Sequence, residues 1–137
     1  MRSLLDTSLL VYADAADEPD RQQRALALIG SLRAAGKAVL STQVLQEYAA
    51  VALRELRLPP ALVRERLGFY ARFDLVATTP ELMAAALDLH VLYQLSFQDA
   101  LLLQAAIAAG CRRVLSEDLP HGTAVGGVQV VNPFLAL

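Results

Sequence analysis

The sequence predicts an α/β chain: a three-layer α/β/α domain around a central, mostly parallel sheet of about five strands. Two observations carry this. Apolar runs such as Ser3-Leu4-Leu5, Ala38-Val39-Leu40 and Arg113-Val114-Leu115 are short and lack polar alternation, so they suit strands buried on both faces, as in a parallel sheet covered by helices. Between them lie longer segments with apolar residues at helical spacing, most of them opened by Ser, Thr or Pro and two of them closed by Gly. At 137 residues the chain has the size of one domain, taken as 1–137.

The elements follow in order. Ser3–Leu5 is the first strand, stopped by Asp6-Thr7-Ser8, residues that suit an N-cap or turn. A helix runs from about Asp20 to Leu32, with Leu26, Ile29 and Leu32 on one face and Gly36 behind it. Ala38–Leu40 is the second strand. Ser41 or Thr42 then caps a helix to about Leu56 that carries Val44, Tyr48 and Val51. Pro59-Pro60 breaks the chain and opens a helix to about Phe73. Leu75–Ala77 is the third strand, and Thr79-Pro80 starts a helix to about Tyr93. Ser96 starts another, Phe97 to Ala109, ended by Gly110. Arg113–Leu115 and Val128–Val131 are the fourth and fifth strands, with turn residues around Gly122 and Gly126-Gly127 between them.

Composition removes several function classes. The chain is 55% hydrophobic and 19% charged, far too apolar for disorder. Cys111 is the only cysteine, which excludes an internal disulfide and a cysteine-rich zinc site. The longest apolar stretches fall short of the ~20 residues of a membrane span. Asp6 interrupts the N-terminal segment too early for a signal peptide, so a cytoplasmic location is expected. Net charge is −2, a weak argument against nonspecific nucleic-acid binding, but the charge is unevenly spread. Asp14, Asp17, Glu18 and Asp20 form an acidic stretch. Arg54, Arg57, Arg64, Arg66 and Arg72 face only Glu55 and Glu65. Eleven of the twelve cationic residues are Arg, the side chain that forks onto phosphate or carboxylate.

Parallel topology brings four acids together. In such sheets ligands bind at the C-terminal strand edge. Asp6 ends the first strand there, and Glu47 lies in the second turn of the helix leaving the second strand. The helix that feeds the fourth strand returns its first turn, with Asp99, to the same edge, where Asp118 also follows the fourth strand. Each has a structural alternative: Asp6 as an N-cap, Asp99 in a capping box with Ser96, Asp118 as a turn acid. Glu47 is harder to explain that way, because it points along an apolar stripe where an unpaired carboxylate costs several kcal/mol. Clustered carboxylates repel unless a cation intervenes. An all-oxygen site suits Mg²⁺ or Mn²⁺ and metal-assisted phosphodiester chemistry.

These residues resemble a known family. Leu4-Leu5-Asp6-Thr7-Ser8-Leu9-Leu10-Val11-Tyr12, Ser41-Thr42-Gln43-Val44-Leu45-Gln46-Glu47, Ser96-Phe97-Gln98-Asp99-Ala100-Leu101 and Leu115-Ser116-Glu117-Asp118 resemble the PIN domain, in order along essentially the whole chain. The similarity is greatest to the ribonuclease toxins of VapBC toxin–antitoxin modules. The resemblance implies a sheet of order 3-2-1-4-5 and a catalytic quartet of Asp6, Glu47, Asp99 and Asp118. Asp6, Asp99 and Asp118 would hold Mg²⁺ or Mn²⁺, with Thr7, Ser8 and Ser116 as supporting hydroxyls. It implies cleavage of transfer RNA or another structured RNA, a homodimer and inhibition by a cognate antitoxin, with no membrane partner. An RNA substrate at an acidic rim needs positive charge nearby, for which Arg54, Arg57, Arg64, Arg66 and Arg72 are the candidates.

Other readings are weaker. A phosphatase using an aspartyl phosphate would want a second Asp two residues after Asp6 and a nearby Lys. Position 8 is Ser, and the only lysine, Lys37, precedes a strand at the opposite edge. A non-catalytic binding module would not require all four acids. His121, His90 and Cys111 read as structural, and Tyr12, Phe69, Tyr70, Phe73 and Phe97 mainly as packing residues.

Overall fold

A computed structural model describes residues 1–137. Strand β1 (Ser3–Leu5) leads through α1 (Thr7–Ala13) and α2 (Pro19–Ala34) to β2 (Ala38–Ser41). Helices α3 (Thr42–Arg54) and α4 (Pro60–Tyr70) then precede β3 (Asp74–Val76). Helices α5 (Pro80–Tyr93) and α6 (Phe97–Ala108) lead to β4 (Arg113–Leu115), and β5 (Ala124–Val125) and β6 (Val128–Val131) complete the sheet. The sheet order is β3-β2-β1-β4-β6-β5, and every neighbouring pair is parallel except β5–β6. The order 3-2-1-4-5 is thus present, with β6 in the fifth place.

Burial follows the sequence pattern in the central strands. Leu4, Leu5, Val39, Leu40 and Val114 are fully buried, and α6, apolar almost all round, packs across β2, β4 and β6. The amphipathic α3 buries Val44, Tyr48 and Ala52. Edge strand β3 departs from the expectation of strands buried on both faces: Asp74 and Leu75 are exposed, because β3 packs mainly on β2 and no helix covers it closely. No single helix is long and apolar enough to cross a membrane.

Two elements are additional to those the sequence pattern indicates. Helix α1 occupies Thr7–Ala13, immediately after β1. It is only two turns long, and its unbroken Leu9-Leu10-Val11 run carries no helical period. The sixth strand, β5, folds back on β6 through Gly126-Gly127, whose φ angles of 57° and 81° are those that tight two-residue hairpins require. The sheet therefore has six strands rather than five, the extra one two residues long and at the edge.

Candidate active site

The C-terminal edge of the parallel strands gathers the acids. Asp6 caps α1, its Oδ1 accepting the Thr7 backbone N–H at 2.7 Å, so the capping and rim roles fall on one residue. Its Oδ2 accepts the Ser116 hydroxyl at 2.6 Å. Thr7 Oγ1 donates to Glu47 Oε2 at 2.9 Å, tying α1 to α3. Asp99 lies in the first turn of α6, where its backbone N–H donates to the capping Ser96 hydroxyl at 3.1 Å. The Asp118 backbone N–H donates to Ser116 Oγ at 3.1 Å. Asp6 is buried, Glu47 and Asp99 are half-buried, and Asp118 is exposed.

None of the four carboxylates forms an ion pair, and they act on one another. Burial first, then the charges of Asp118 and Glu47, push the Asp6 carboxyl up to about 6 against the opposing hydrogen bonds from Ser116 and Thr7. Asp118 is raised as well, by burial first and then by Glu117 and Asp99. The acids thus come from four segments of chain and are electrostatically coupled without a protein cation to relieve them. This donor set suits a hard divalent cation. No three acidic, His or Cys side chains close on a single point as a preformed cage. Mg²⁺ does not need one, because it usually keeps several waters and takes only one or two carboxylates directly.

The supporting hydroxyls divide their tasks. Ser116 and Thr7 hold the carboxylates of Asp6 and Glu47. Ser8 instead accepts the Glu117 backbone N–H at 3.4 Å and touches no carboxylate. Glu117 is engaged by partners of its own: Tyr12 donates to its Oε1 at 3.0 Å, and Arg21 approaches Oε2 at 3.8 Å. Gln43 is a participant the motifs did not flag. Its Nε2 donates to the Gln98 carbonyl at 3.0 Å and lies 3.4 Å from Glu47 Oε1, linking α3 to the first turn of α6. Its position four residues before Glu47, on the same helical face, was the available signal.

A groove of about 490 Å³ runs from this rim between α1 and α3. Glu47, Glu55, Glu117 and Asp118 line it over an apolar floor that includes Val11 and Val51, and Arg54 is its only cation. The five candidate arginines do not share one surface. Arg54 lies in the groove, whereas Arg64 lines a separate cleft with Ala49, Leu53 and Leu67. Arg57 is exposed in the α3–α4 turn with a positive φ of 54°. Arg66 is tied to Asp14 at 3.0 Å, and Arg72 stands at the opposite edge of the sheet, just before β3.

The remaining candidates are structural. His121 Nδ1 accepts the Asn132 backbone N–H at 3.0 Å, and Cys111 is buried with its thiol pushed up to about 11 by burial. Tyr12 packs edge-on against Phe134, and Phe69, Tyr70 and Phe73 pack edge-to-face on one another.

Comparison with known families decides what the fold is. The PIN domain model matches residues 3–119. The chain belongs to the PIN domain family. No curated protein matches it in sequence. In structure, this PIN domain is similar to a toxin–antitoxin complex from Klebsiella pneumoniae, with a TM-score of 0.72, 15% identity, and coverage of 96% of this chain and 98% of the other. It is similar to Mycobacterium tuberculosis VapC20, described as a sarcin–ricin loop cleaving toxin, with a TM-score of 0.65, 20% identity, and coverage of 85% and 89%. A third similar structure is VapBC2 from Rickettsia felis bound to a DNA fragment from its promoter, with a TM-score of 0.65, 18% identity, and coverage of 95% and 97%. At these identities the likeness establishes the PIN fold.

Proposed function

We propose that this PIN domain is a divalent-metal-dependent endoribonuclease and the toxin of a type II toxin–antitoxin pair. One observation carries the reading: four carboxylates from four chain segments stand at the C-terminal edge of the sheet, and none of them has an ion-pair partner. Asp6, Asp99 and Asp118 would hold Mg²⁺ or Mn²⁺, with Glu47 completing the catalytic set. When bound, the ion supplies an activated water and neutralises the charge that develops at the phosphate.

The protein's own groups prepare that arrangement. Ser116 and the Thr7 N–H fix both oxygens of Asp6. Thr7 Oγ1 and Gln43 hold Glu47 from two sides, and Gln43 also bridges α3 to the Gln98 carbonyl in the first turn of α6. Of the candidate arginines, Arg54 is the one placed to meet a substrate phosphate beside the rim, since it lines the same groove and forms no ion pair.

The groove also suits the partner. Acidic walls over an aliphatic floor fit a basic, amphipathic protein segment, the chemistry an antitoxin tail would bring, and two of the similar structures are described as toxin–antitoxin or VapBC assemblies. A second copy of the chain is the proposed occupant of the aliphatic face of α5, where Val91 and Leu92 are 76% and 73% exposed. A cytoplasmic location accompanies this reading.

Direct metal binding tests it. Mn²⁺ titrated calorimetrically into the wild type gives a saturable site that Asp6→Asn and Asp118→Asn weaken or abolish. A featureless wild-type titration contradicts the reading and favours a non-catalytic binding module.

A further inference from the structure

The edge of the sheet opposite the acids is basic. The four strands β3-β2-β1-β4 stand side by side in parallel, and each is entered by a cation: Arg72 before β3, Lys37 before β2, Arg2 before β1, and Arg112 with Arg113 at β4. With strands ~4.8 Å apart, the four entries form a row of roughly 15 Å. Arg33, in the last turn of α2, adds to it, lining with Arg72 a cavity of about 220 Å³. Asp74 is the only acid among the residues that precede or open these strands.

Part of this charge belongs to the fold. Arg2 donates through Nε to the Ala109 carbonyl at 2.7 Å, at the C-terminus of α6, and pairs with Asp74 at 2.7 Å. Arg113 donates to Ser3 Oγ at 2.6 Å. Helices α2, α4 and α6 end at this edge, each contributing about half a negative charge at most. Arg33, Lys37, Arg72 and Arg112 remain. All four are exposed, and none is in an ion pair. The Arg33 guanidinium lies 4.8 Å from the Phe69 ring centroid and Lys37 stands beside the Met1 amino group, and neither contact neutralises charge. They exceed what three helix ends and an already paired aspartate require.

We propose that this basic edge is a second RNA contact, a sequence-independent surface for the phosphate backbone, separate from the acidic rim. The choice of RNA rests on the nuclease reading above. The physical case for a polyanion rests on the row itself: free cations, mostly arginine, repeated at strand spacing. A stable protein interface would want an apolar or aromatic centre. Here Phe73 is buried, and the exposed apolar side chains nearby are Met1, Leu75 and Phe69, the last lying at the margin under Arg33, so no apolar centre forms within the row. The central strands are three or four residues long, so the two edges lie only ~13 Å apart along the strands, and a looped RNA can touch both. The acidic rim repels phosphates, and the basic edge supplies the attraction that it lacks.

The test separates binding from cutting. A fluorescein-labelled single-stranded RNA is titrated with the full-length Asp99→Asn protein in chelator, and affinity is followed against KCl concentration. Combining Arg33→Ala, Lys37→Ala, Arg72→Ala and Arg112→Ala weakens binding at least tenfold and flattens the log–log salt slope by about 3, at roughly 0.7 per lost contact. The matching protein with Arg33→Lys, Arg72→Lys and Arg112→Lys keeps both affinity and slope. An unchanged melting temperature shows that the fold survives. Equal affinity and slope in the alanine protein overturn the proposal, as does a loss in the lysine protein as large as in the alanine protein. Unchanged RNA binding with an altered oligomeric state also overturns it, by assigning the edge to a protein contact. Loss of binding in the alanine protein when the wild type cuts no RNA supports this surface and contradicts the nuclease reading instead.

Discussion

Ser116 and Asp6 are joined across neighbouring strands: the fully buried Ser116 hydroxyl donates to Asp6 Oδ2 at 2.6 Å. Ser116 Oγ in turn accepts the backbone N–H groups of Asp118 at 3.1 Å and Leu119 at 3.2 Å. One small side chain therefore fixes a carboxylate at the end of β1 and the turn that carries another after β4. Ser116→Ala removes a hydrogen bond to a charged group and leaves two backbone donors without that acceptor. It should destabilise the protein by about 2 kcal/mol in urea denaturation and slow RNA cleavage. A stability change below about 0.5 kcal/mol would show that water replaces the hydroxyl and that the link is dispensable.

Asp6 makes stability depend on pH in an unusual direction. Its folded pKa, about 6, lies above the 3.8 of an unperturbed aspartate, so between those values the folded state holds more protons than the unfolded one. The stabilisation from protonating Asp6 is complete below about 3.8 and disappears as pH rises through 6. In chelator, its ionisation should cost up to about 3 kcal/mol at neutral pH, and Asp6→Asn should recover much of that. Melting curves from pH 4.5 to 7.5 check this. The wild type should gain on Asp6→Asn as pH falls, and parallel curves would contradict the assignment.

Neighbouring acids should differ in consequence. Glu117 is held by Tyr12 and Arg21, whereas Asp118 has no ion-pair partner and feels the charges of both Glu117 and Asp99. Glu117→Gln should leave the cleavage rate within a few-fold of wild type, and Asp118→Asn should reduce it by about 100-fold or more. Steady-state rates on one RNA substrate decide the point. A reversal of the two effects would place Glu117 in the site.

Away from the rim, Asp14 anchors α1 to α3 and α4. It accepts a hydrogen bond from the buried Tyr48 hydroxyl and one from Arg66 Nε at 3.0 Å. Asp14→Ala strands both partners and should destabilise the fold by about 3 kcal/mol, more than Tyr48→Phe, which leaves the Arg66 pair intact. Urea denaturation of both variants measures the difference. Equal and small losses would mean the network contributes little.

The strands and long helices were legible because their patterns are local: unbroken apolar runs for β1, β2 and β4, helical spacing in α3, Ser41, Thr79 and Ser96 as caps. That Asp6, Asp99 and Asp118 stand at strand ends or a helix start on one edge of the sheet was also readable, since parallel topology dictates which ends share an edge. Helix α1 was not, because two turns of consecutive aliphatic residues show no period. The spread of the Arg54–Arg72 group was equally hidden. The chain turns twice between Arg54 and Arg72, so residues close in sequence, such as Arg66 and Arg72, end at Asp14 and at the far edge of the sheet. Gln43 and the orientation of Glu117 depend on tertiary partners, Gln98 in one case and Tyr12 with Arg21 in the other, which no spacing rule reveals.

Cleavage of a structured RNA pool that includes transfer RNA, with cut ends mapped, tests the central claim most directly. Wild type and Asp99→Asn are compared in Mg²⁺, in Mn²⁺ and in chelator. The acidic rim predicts discrete cuts that require the divalent ion and disappear in Asp99→Asn. Cuts that persist equally in the variant or in chelator would contradict it.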